Sequence, residues 1–456
     1  MHPFIAAGLA VALVVPVAAL AQPSGDVEAL KQELAAIRAS YEQRLQGLEL
    51  RLQAAEAALK SQQQPASAAL APPAAAVAAT APAASGTPAG GNAFNPAVSL
   101  ILSGTYGRTT RDPGTYALTG FAAPPGADLA PAPRSFSLGE SELGLAANID
   151  PWLRGVATIA LRPDDTVGVE NAYVQTTSLG HGLTLKAGRF FSGIGYLNEQ
   201  HAHAWDFVDA PLAYQAFLGG QFGDDGLQLR WLAPTDAFVE VGAEVGRGHG
   251  FPGSNAGSNG AGATALYAHT GGDIGESSSW RAGVSLLNAK PAALDLVAPA
   301  SGGAPALVGA FSGRNRVLVA DAVWKWAPNG NATRTNFKLQ GEYLRSTRDG
   351  TFADGAGAVL PVDSRQSGWY VQAVYQFMPR WRAGWRTERL DSGAAGPLTT
   401  VAYRPRKDSL MFDFSPSEFS RVRLQLARDR SRLGLADNQL FVQYQMSLGA
   451  HGAHSF

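Results

Sequence analysis

From residue 94 onward the chain alternates between apolar and polar positions. TNFKLQGEY (335–343) sets Phe337, Leu339 and Tyr343 against Lys338, Gln340 and Glu342. RWRAGWRTER (380–389) sets Trp381, Ala383 and Trp385 against Arg382, Gly384 and Arg386. SRVRLQLA (420–427) sets Val422, Leu424 and Leu426 against Arg421, Arg423 and Gln425. A period of two with one apolar face predicts half-buried β-strands. A soluble sandwich would not crowd arginine on one face and place Trp and Tyr at the ends of the other. The pattern fits an all-β transmembrane barrel, apolar toward lipid and polar toward the lumen.

Segments of this kind are predicted near 97–107, 135–149, 153–162, 169–177, 183–191, 226–233, 237–245, 263–270, 279–287, 316–326, 335–344, 368–377, 381–389, 409–414, 419–427 and 439–448. They give a 16-stranded antiparallel barrel over 94–456, its connections alternately short and long. An even count returns both ends of the barrel to the periplasmic side. Two segments fit less well. The alternation in 135–149 changes phase near Glu142, and 409–414 is short.

The texture before residue 94 differs. Residues 4–20 form an apolar run ending before Ala21, which predicts a signal peptide over 1–21. Val27, Leu30, Leu34, Ile37, Tyr41, Leu45, Leu48, Leu52, Ala55 and Leu59 then follow in steps of three and four. That seam, with one stutter at Tyr41–Leu45, predicts an α-helical coiled coil over 22–60. Residues 61–93 are mostly Ala, Pro, Gly and Ser and are expected to be a linker. No later stretch holds about 20 consecutive apolar residues.

Charge changes the picture little: 36 Lys and Arg against 37 Asp and Glu argue for no nucleic-acid partner. With no cysteine there is neither a disulfide framework nor a thiolate site. No nucleophile motif accompanies a base, so an enzyme is not predicted. The Gly-rich stretch 246–263 reads as an outer loop, since it has no strand–loop–Lys arrangement for phosphate.

Four stretches, FSLGESELGLAANIDP (136–151), GLTLKAGRFFSGIGYLNEQHAHAWDFVDAPL (182–212), GDDGLQLRWLAP (223–234) and LGAHGAHSF (448–456), resemble a proteobacterial outer-membrane family. That family is commonly labelled zinc-regulated TonB-dependent outer membrane receptors. Signal, coiled coil, tether and barrel together resemble trimeric porins with a periplasmic coiled-coil extension. The resemblance implies the outer membrane of a Gram-negative bacterium, a homotrimer, and contact with membrane lipid and lipopolysaccharide. Phe456, sharing its face with Tyr444, Met446 and Leu448, resembles the signal read by the outer-membrane assembly machinery. The TonB-dependent part of the label fits the chain poorly. Such receptors have 22 strands and a plug, roughly 500 residues at this spacing, whereas 456 minus 93 leaves 363.

The candidate site lies in residues 192–225, the longest connection and the third long loop. In porins this loop folds into the lumen. Here it would present Glu199, Asp206, Asp209, Asp224 and Asp225 as an acidic constriction. The facing basic wall would be Arg154, Arg230, Arg281, Arg382, Arg386, Arg421 and Arg423. A transverse field between them would orient polar solutes, and a basic excess would favour anions mildly. The expected function is passive diffusion of small hydrophilic solutes, with no cofactor. The loop's HAH triplet keeps alternatives open. His201 and His203 could pin the loop by hydrogen bonds, touch solute, or, with Asp206 and Asp209, ligate zinc in a receptor for the metal or its chelate. His451 and His454 allow the same readings. A structural tether through the coiled coil is a third possibility.

Overall fold

The computed structural model describes residues 96–254, 259–399 and 401–449. The expected signal peptide, coiled coil and linker, together with His451, His454 and Phe456, lie outside the described residues. The strands are β1 Ala97–Thr109, β2 Ser135–Leu138, β3 Ser141–Asn148, β4 Leu153–Leu161, β5 Val167–Thr176, β6 Leu183–Phe191, β7 Gly223–Leu232, β8 Phe238–Gly246 and β9 Ala263–Ile274. They continue as β10 Ser278–Ala289, β11 Leu294–Ala298, β12 Leu307–Trp326, β13 Asn336–Asp354, β14 Val359–Met378, β15 Trp381–Ala394, β16 Arg406–Ser417, β17 Ser420–Asp429 and β18 Asp437–Gly449. A short α-helix, α1 Leu212–Leu218, and a 3-10 turn at Ala202–Ala204 lie between β6 and β7.

The 18 segments make 16 walls. β2 and β3 both pair with β1, end to end. β10 and β11 both pair with β12 on one side of it. Each neighbouring pair is antiparallel, and β1 closes on β18 from Ser99–Gly449 to Thr109–Gln439. Closure removes the free edges that an open sheet would expose. All 16 segments expected from the alternation are strands.

The sides of the wall confirm an inside-out molecule. Gln340, Glu342, Gln372, Arg386 and Glu388 are buried, while Leu339, Tyr343, Tyr375, Trp381 and Trp385 are exposed. Water would not tolerate so continuous an apolar exterior, but a bilayer does. Aromatic pairs such as Trp324–Phe337 and Trp381–Phe414 lie near the rim that carries the short turns, as expected at a membrane interface.

Three strands are longer than their sequences imply. β12, β13 and β14 run for 20, 19 and 20 residues, against the 9–11 or so that span a bilayer. Residues 345–367, read as a long loop, are mostly strand. Above the membrane the faces exchange character. Arg314, Arg316, Arg345, Asp363 and Arg365 point outward and are exposed, whereas Phe311, Leu344, Phe352 and Val362 are buried inside. With no apolar outer face, the cue used for the membrane strands vanishes.

Two walls are irregular. Between the pairs Gly104–Leu138 and Ile101–Glu142, three steps on β1 oppose four on the other side. This is the phase change seen near Glu142, and it separates β2 from β3. In β5 the pairs Thr158–Asn171 and Ile159–Val169 skip Glu170, a β-bulge that turns both Glu170 and Asn171 inward. Bulges re-aim side chains and end pairing. Consistently, β5 pairs with β6 only from Ala172–Arg189 to Gln175–Lys186.

Candidate functional site: a loop inside the barrel

The chain between β6 and β7, residues 192–222, folds into the lumen. Its neck is closed by Asn198, whose amide donates to the carbonyls of Ser192 and Phe222 at 2.8 Å and accepts from Phe222 N at 2.8 Å. Asn198 is fully buried, and the loop ends therefore act as one unit. All seven residues of α1 are buried. Gly219 ends the helix in the left-handed region at φ 67°, where a Cβ is strained.

The loop rests on apolar packing and on wall carboxylates. Ile194, Leu197, Leu212, Tyr214 and Phe217 pack with Leu118 and Phe121 of the first outer loop and with wall residues Val319, Leu344 and Tyr370. Glu342 on β13 accepts from Tyr196 N (3.2 Å), Leu197 N (3.0 Å), Tyr214 Oη (2.8 Å) and Tyr370 Oη (2.6 Å). Glu388 on β15 accepts from Leu212 N at 2.6 Å, and Glu244 on β8 from Gly193 N at 2.9 Å.

The predicted acidic residues divide. Glu199 pairs with Arg230 and lies 3.6 Å from Lys186. Asp206 lies 2.5 Å from Lys338 and 3.3 Å from Arg382, which also grips Asp413 at 2.5 Å. Asp209 contacts Arg386 at 2.6 Å and Lys407 directly. Burial alone would raise the Asp206 and Asp209 carboxyls, but these bases outweigh it and hold both well below the ordinary range. The carboxylates thus touch the basic wall instead of facing it across open water.

Asp224 and Asp225 do not belong to the loop. The loop ends at Phe222, and both aspartates lie at the start of β7, which begins three residues ahead of the strand start expected at 226. Asp224 points inward and accepts from Gly248 N at 2.6 Å. Asp225 forms a bidentate pair with Arg189 at 2.6 and 3.0 Å.

The basic wall also divides. Arg230, Arg382 and Arg386 are committed to carboxylates. Arg421 instead donates to His203 O (2.8 Å) and Gln445 Oε1 (2.7 Å), and Arg423 to Trp205 O (2.7 Å). Arg281 stacks over the Tyr196 ring at 5.3 Å. Arg154 is exposed near the rim of short turns.

The histidines meet different partners from those expected. Asp206 and Asp209 are taken up by bases and do not join them. Instead His203 Nδ1 lies 2.6 Å from Glu142 Oε1, and His201 Nδ1 lies 3.2 Å from Glu142 Oε2 and 2.8 Å from Glu170 Oε2. The two rings stack with centroids 5.6 Å apart. Sequence reading missed Glu142, Glu170, Lys407 and Asn198. The phase change at Glu142 was the cue noted in the sequence.

These features define a closed, 16-stranded antiparallel β-barrel with an apolar exterior, a charged lumen and a loop docked within it. A protein of Aquifex aeolicus (strain VF5), described as uncharacterized, is 30% identical over 408 residues, 81% of this chain and 82% of that one. The chain belongs to one family with that protein. No family model matches the chain. Among solved structures it is similar to OmpT of Vibrio cholerae with loop L8 deleted, at TM-score 0.49 and 12% identity over 78% of this chain and 100% of that one. It is also similar to the outer membrane channel DcaP of Acinetobacter baumannii (TM-score 0.47, 12% identity, 77% and 96% covered) and to an anion-selective porin from Comamonas acidovorans (0.46, 11%, 78% and 99%).

Proposed function

We propose that the chain is an outer-membrane channel of porin type, passing small hydrophilic solutes by diffusion across the outer membrane of a Gram-negative bacterium. The observation that carries this reading is the loop 192–222, docked inside a closed barrel whose inner face is charged and whose outer face is apolar. Such a loop narrows a lumen and sets the charge along the remaining path. Anion preference would arise from Arg421 and Arg423, which bind carbonyls and amides while most neighbouring bases are neutralised by carboxylates.

The seam at 27–59 would join three copies in the periplasm, and deleting 26–60 should weaken the trimer without preventing insertion. Stepwise conductance of the purified protein in planar bilayers, with no energy source, tests the channel. A second reading, binding-dependent uptake, is favoured by the carboxylates gathered around His201 and His203. Silent bilayers together with saturable solute binding would select it.

A further inference from the structure

Where β3, β5 and the loop meet, five side chains with metal-ligand chemistry converge: Glu140, Glu142, Glu170, His201 and His203. Ligand atoms of Glu142, His201 and His203 lie within 4.8 Å of one another, and so do those of the three glutamates. We propose that this cluster is a binding site for a divalent transition-metal ion of the zinc class, with Glu142, His201 and His203 as core ligands and Glu170 or Glu140 completing the set.

The geometry favours a metal over a chance ion pair. Both imidazoles turn the same nitrogen, Nδ1, toward the Glu142 carboxylate, one to each oxygen. Ligands bound near 2.0–2.1 Å in a tetrahedral site are about 3.3 Å apart. The present separations of 2.6 to 3.2 Å are those of nitrogens and oxygens sharing protons. A metal would take the place of those protons after a small outward shift of the rings. Two imidazoles with carboxylates suit zinc and its first-row neighbours, whereas calcium and magnesium prefer oxygen alone.

Three further observations point to a ligand. Three carboxylates crowd against two imidazoles, one more than the rings could balance even with both protonated, and that excess is costly in a largely buried place without a further cation. One oxygen of Glu140, Oε1, is buried without a hydrogen-bond partner. The glutamates are aimed here by two separate departures from strand geometry, at Gly139–Ser141 and at Glu170. A support around the ligands also exists. The Asn171 amide lies 2.8 Å from His201 Nε2. With metal on Nδ1 the ring proton moves to Nε2, and that amide can turn its oxygen to accept it in exchange for the long 3.3 Å bond that the oxygen now accepts from Phe191 N. The His201 side chain is 22% exposed, so an ion has a route in.

The test uses the full chain in detergent, stripped with chelator and titrated with Zn²⁺ alone by calorimetry, then with Co²⁺ as a spectroscopic probe. One saturable ion per chain is expected, with an intense visible Co²⁺ band of low coordination number. His201→Gln with His203→Gln, and separately Glu142→Gln, should each weaken binding at least tenfold, while the control His181→Gln should not. Should the double variant fail to fold, Glu142→Gln and the Co²⁺ spectrum of the unaltered chain decide. Absence of saturable Zn²⁺ binding, retention of it in both variants, or a weak six-coordinate Co²⁺ spectrum would overturn the site. Calorimetry is independent of conductance, so the site and the channel can fail separately.

Discussion

Asp209 clamps the loop to the wall through two bases, and its removal tests whether ion pairing holds the loop inside. Asp209→Asn keeps the shape but deletes the charge that faces Arg386 and Lys407. Arg386 retains Glu388 at 2.8 Å, but Lys407, whose side chain is 2% exposed, keeps only Asp429 at 3.9 Å. Breaking a buried pair on one side costs about 3–5 kcal/mol, which is roughly two to four powers of ten in the ratio of docked to released loop. The chain has no cysteine, so Gln215→Cys on α1 provides one reporter. Maleimide labelling at that position should accelerate strongly in the Asp209→Asn background, and bilayer conductance should grow larger and noisier. Adding Lys407→Met removes the stranded charge and should return labelling toward that of the parent. Unchanged labelling in Asp209→Asn, or a double variant no closer to the parent than the single, would refute the clamp.

Changing Arg421 and Arg423 to Ser should move reversal potentials toward cations at low salt, with the shift fading as ionic strength rises; potentials that stay put would mean other groups set selectivity. Leu339→Arg places a charge against lipid and should lower folding stability in bilayers by about 2–4 kcal/mol, whereas Arg345→Leu, outside the membrane on the same strand, should change it little. Equal effects would misplace the membrane boundary. Because the Asp206 and Asp209 carboxyls are held below their unfolded values, their contribution is complete above about pH 4 and lost only as pH falls further. These two aspartates should therefore add no pH dependence to conductance between pH 8 and 5, and a transition near pH 6 would implicate a different group.

The alternation was readable wherever lipid enforces it. Leu339 and Tyr343 announce β13 because both must face hydrocarbon. Arg345, Thr347 and Asp349 continue the same strand, yet their outward face meets water, so nothing in their pattern marks it. Lys407 was missed for the same reason, as it precedes Leu410, the first lipid-facing leucine of β16. Glu170 left a fainter trace. The outward apolar positions run Val167, Val169, Ala172 and Val174, with one step of three where two is the rule, and that step is the bulge. The partners of the loop depend on folding across the lumen, between residues such as Asp209 and Lys407 that are far apart in sequence. No local pattern encodes them.

The bulges and the loop address one structural problem. A barrel of fixed strand count presents one inward side chain for every two residues, and a slip of one residue would turn a wall's apolar face inward. The extra residues at Gly139–Ser141 and at Glu170 avoid that outcome. Phe136 and Leu138 still face outward on one side of the first, as do Val169 and Ala172 around the second. Each irregularity adds to the inner face while leaving the outer face intact, and what it adds is carboxylate. The loop is matched to this uneven wall along its length. Glu199 meets the bases of β6 and β7, His201 and His203 meet the glutamates of β3 and β5, and Asp206 and Asp209 meet the bases of β13, β15 and β16. The chemistry of the loop changes twice in about ten residues, carboxylate to imidazole and back, each time complementary to the wall beside it. An acidic loop facing a uniformly basic wall would be indifferent to small shifts along the barrel. This alternating arrangement fixes one register, since displacing the loop would set His201 against arginine or Asp206 against glutamate.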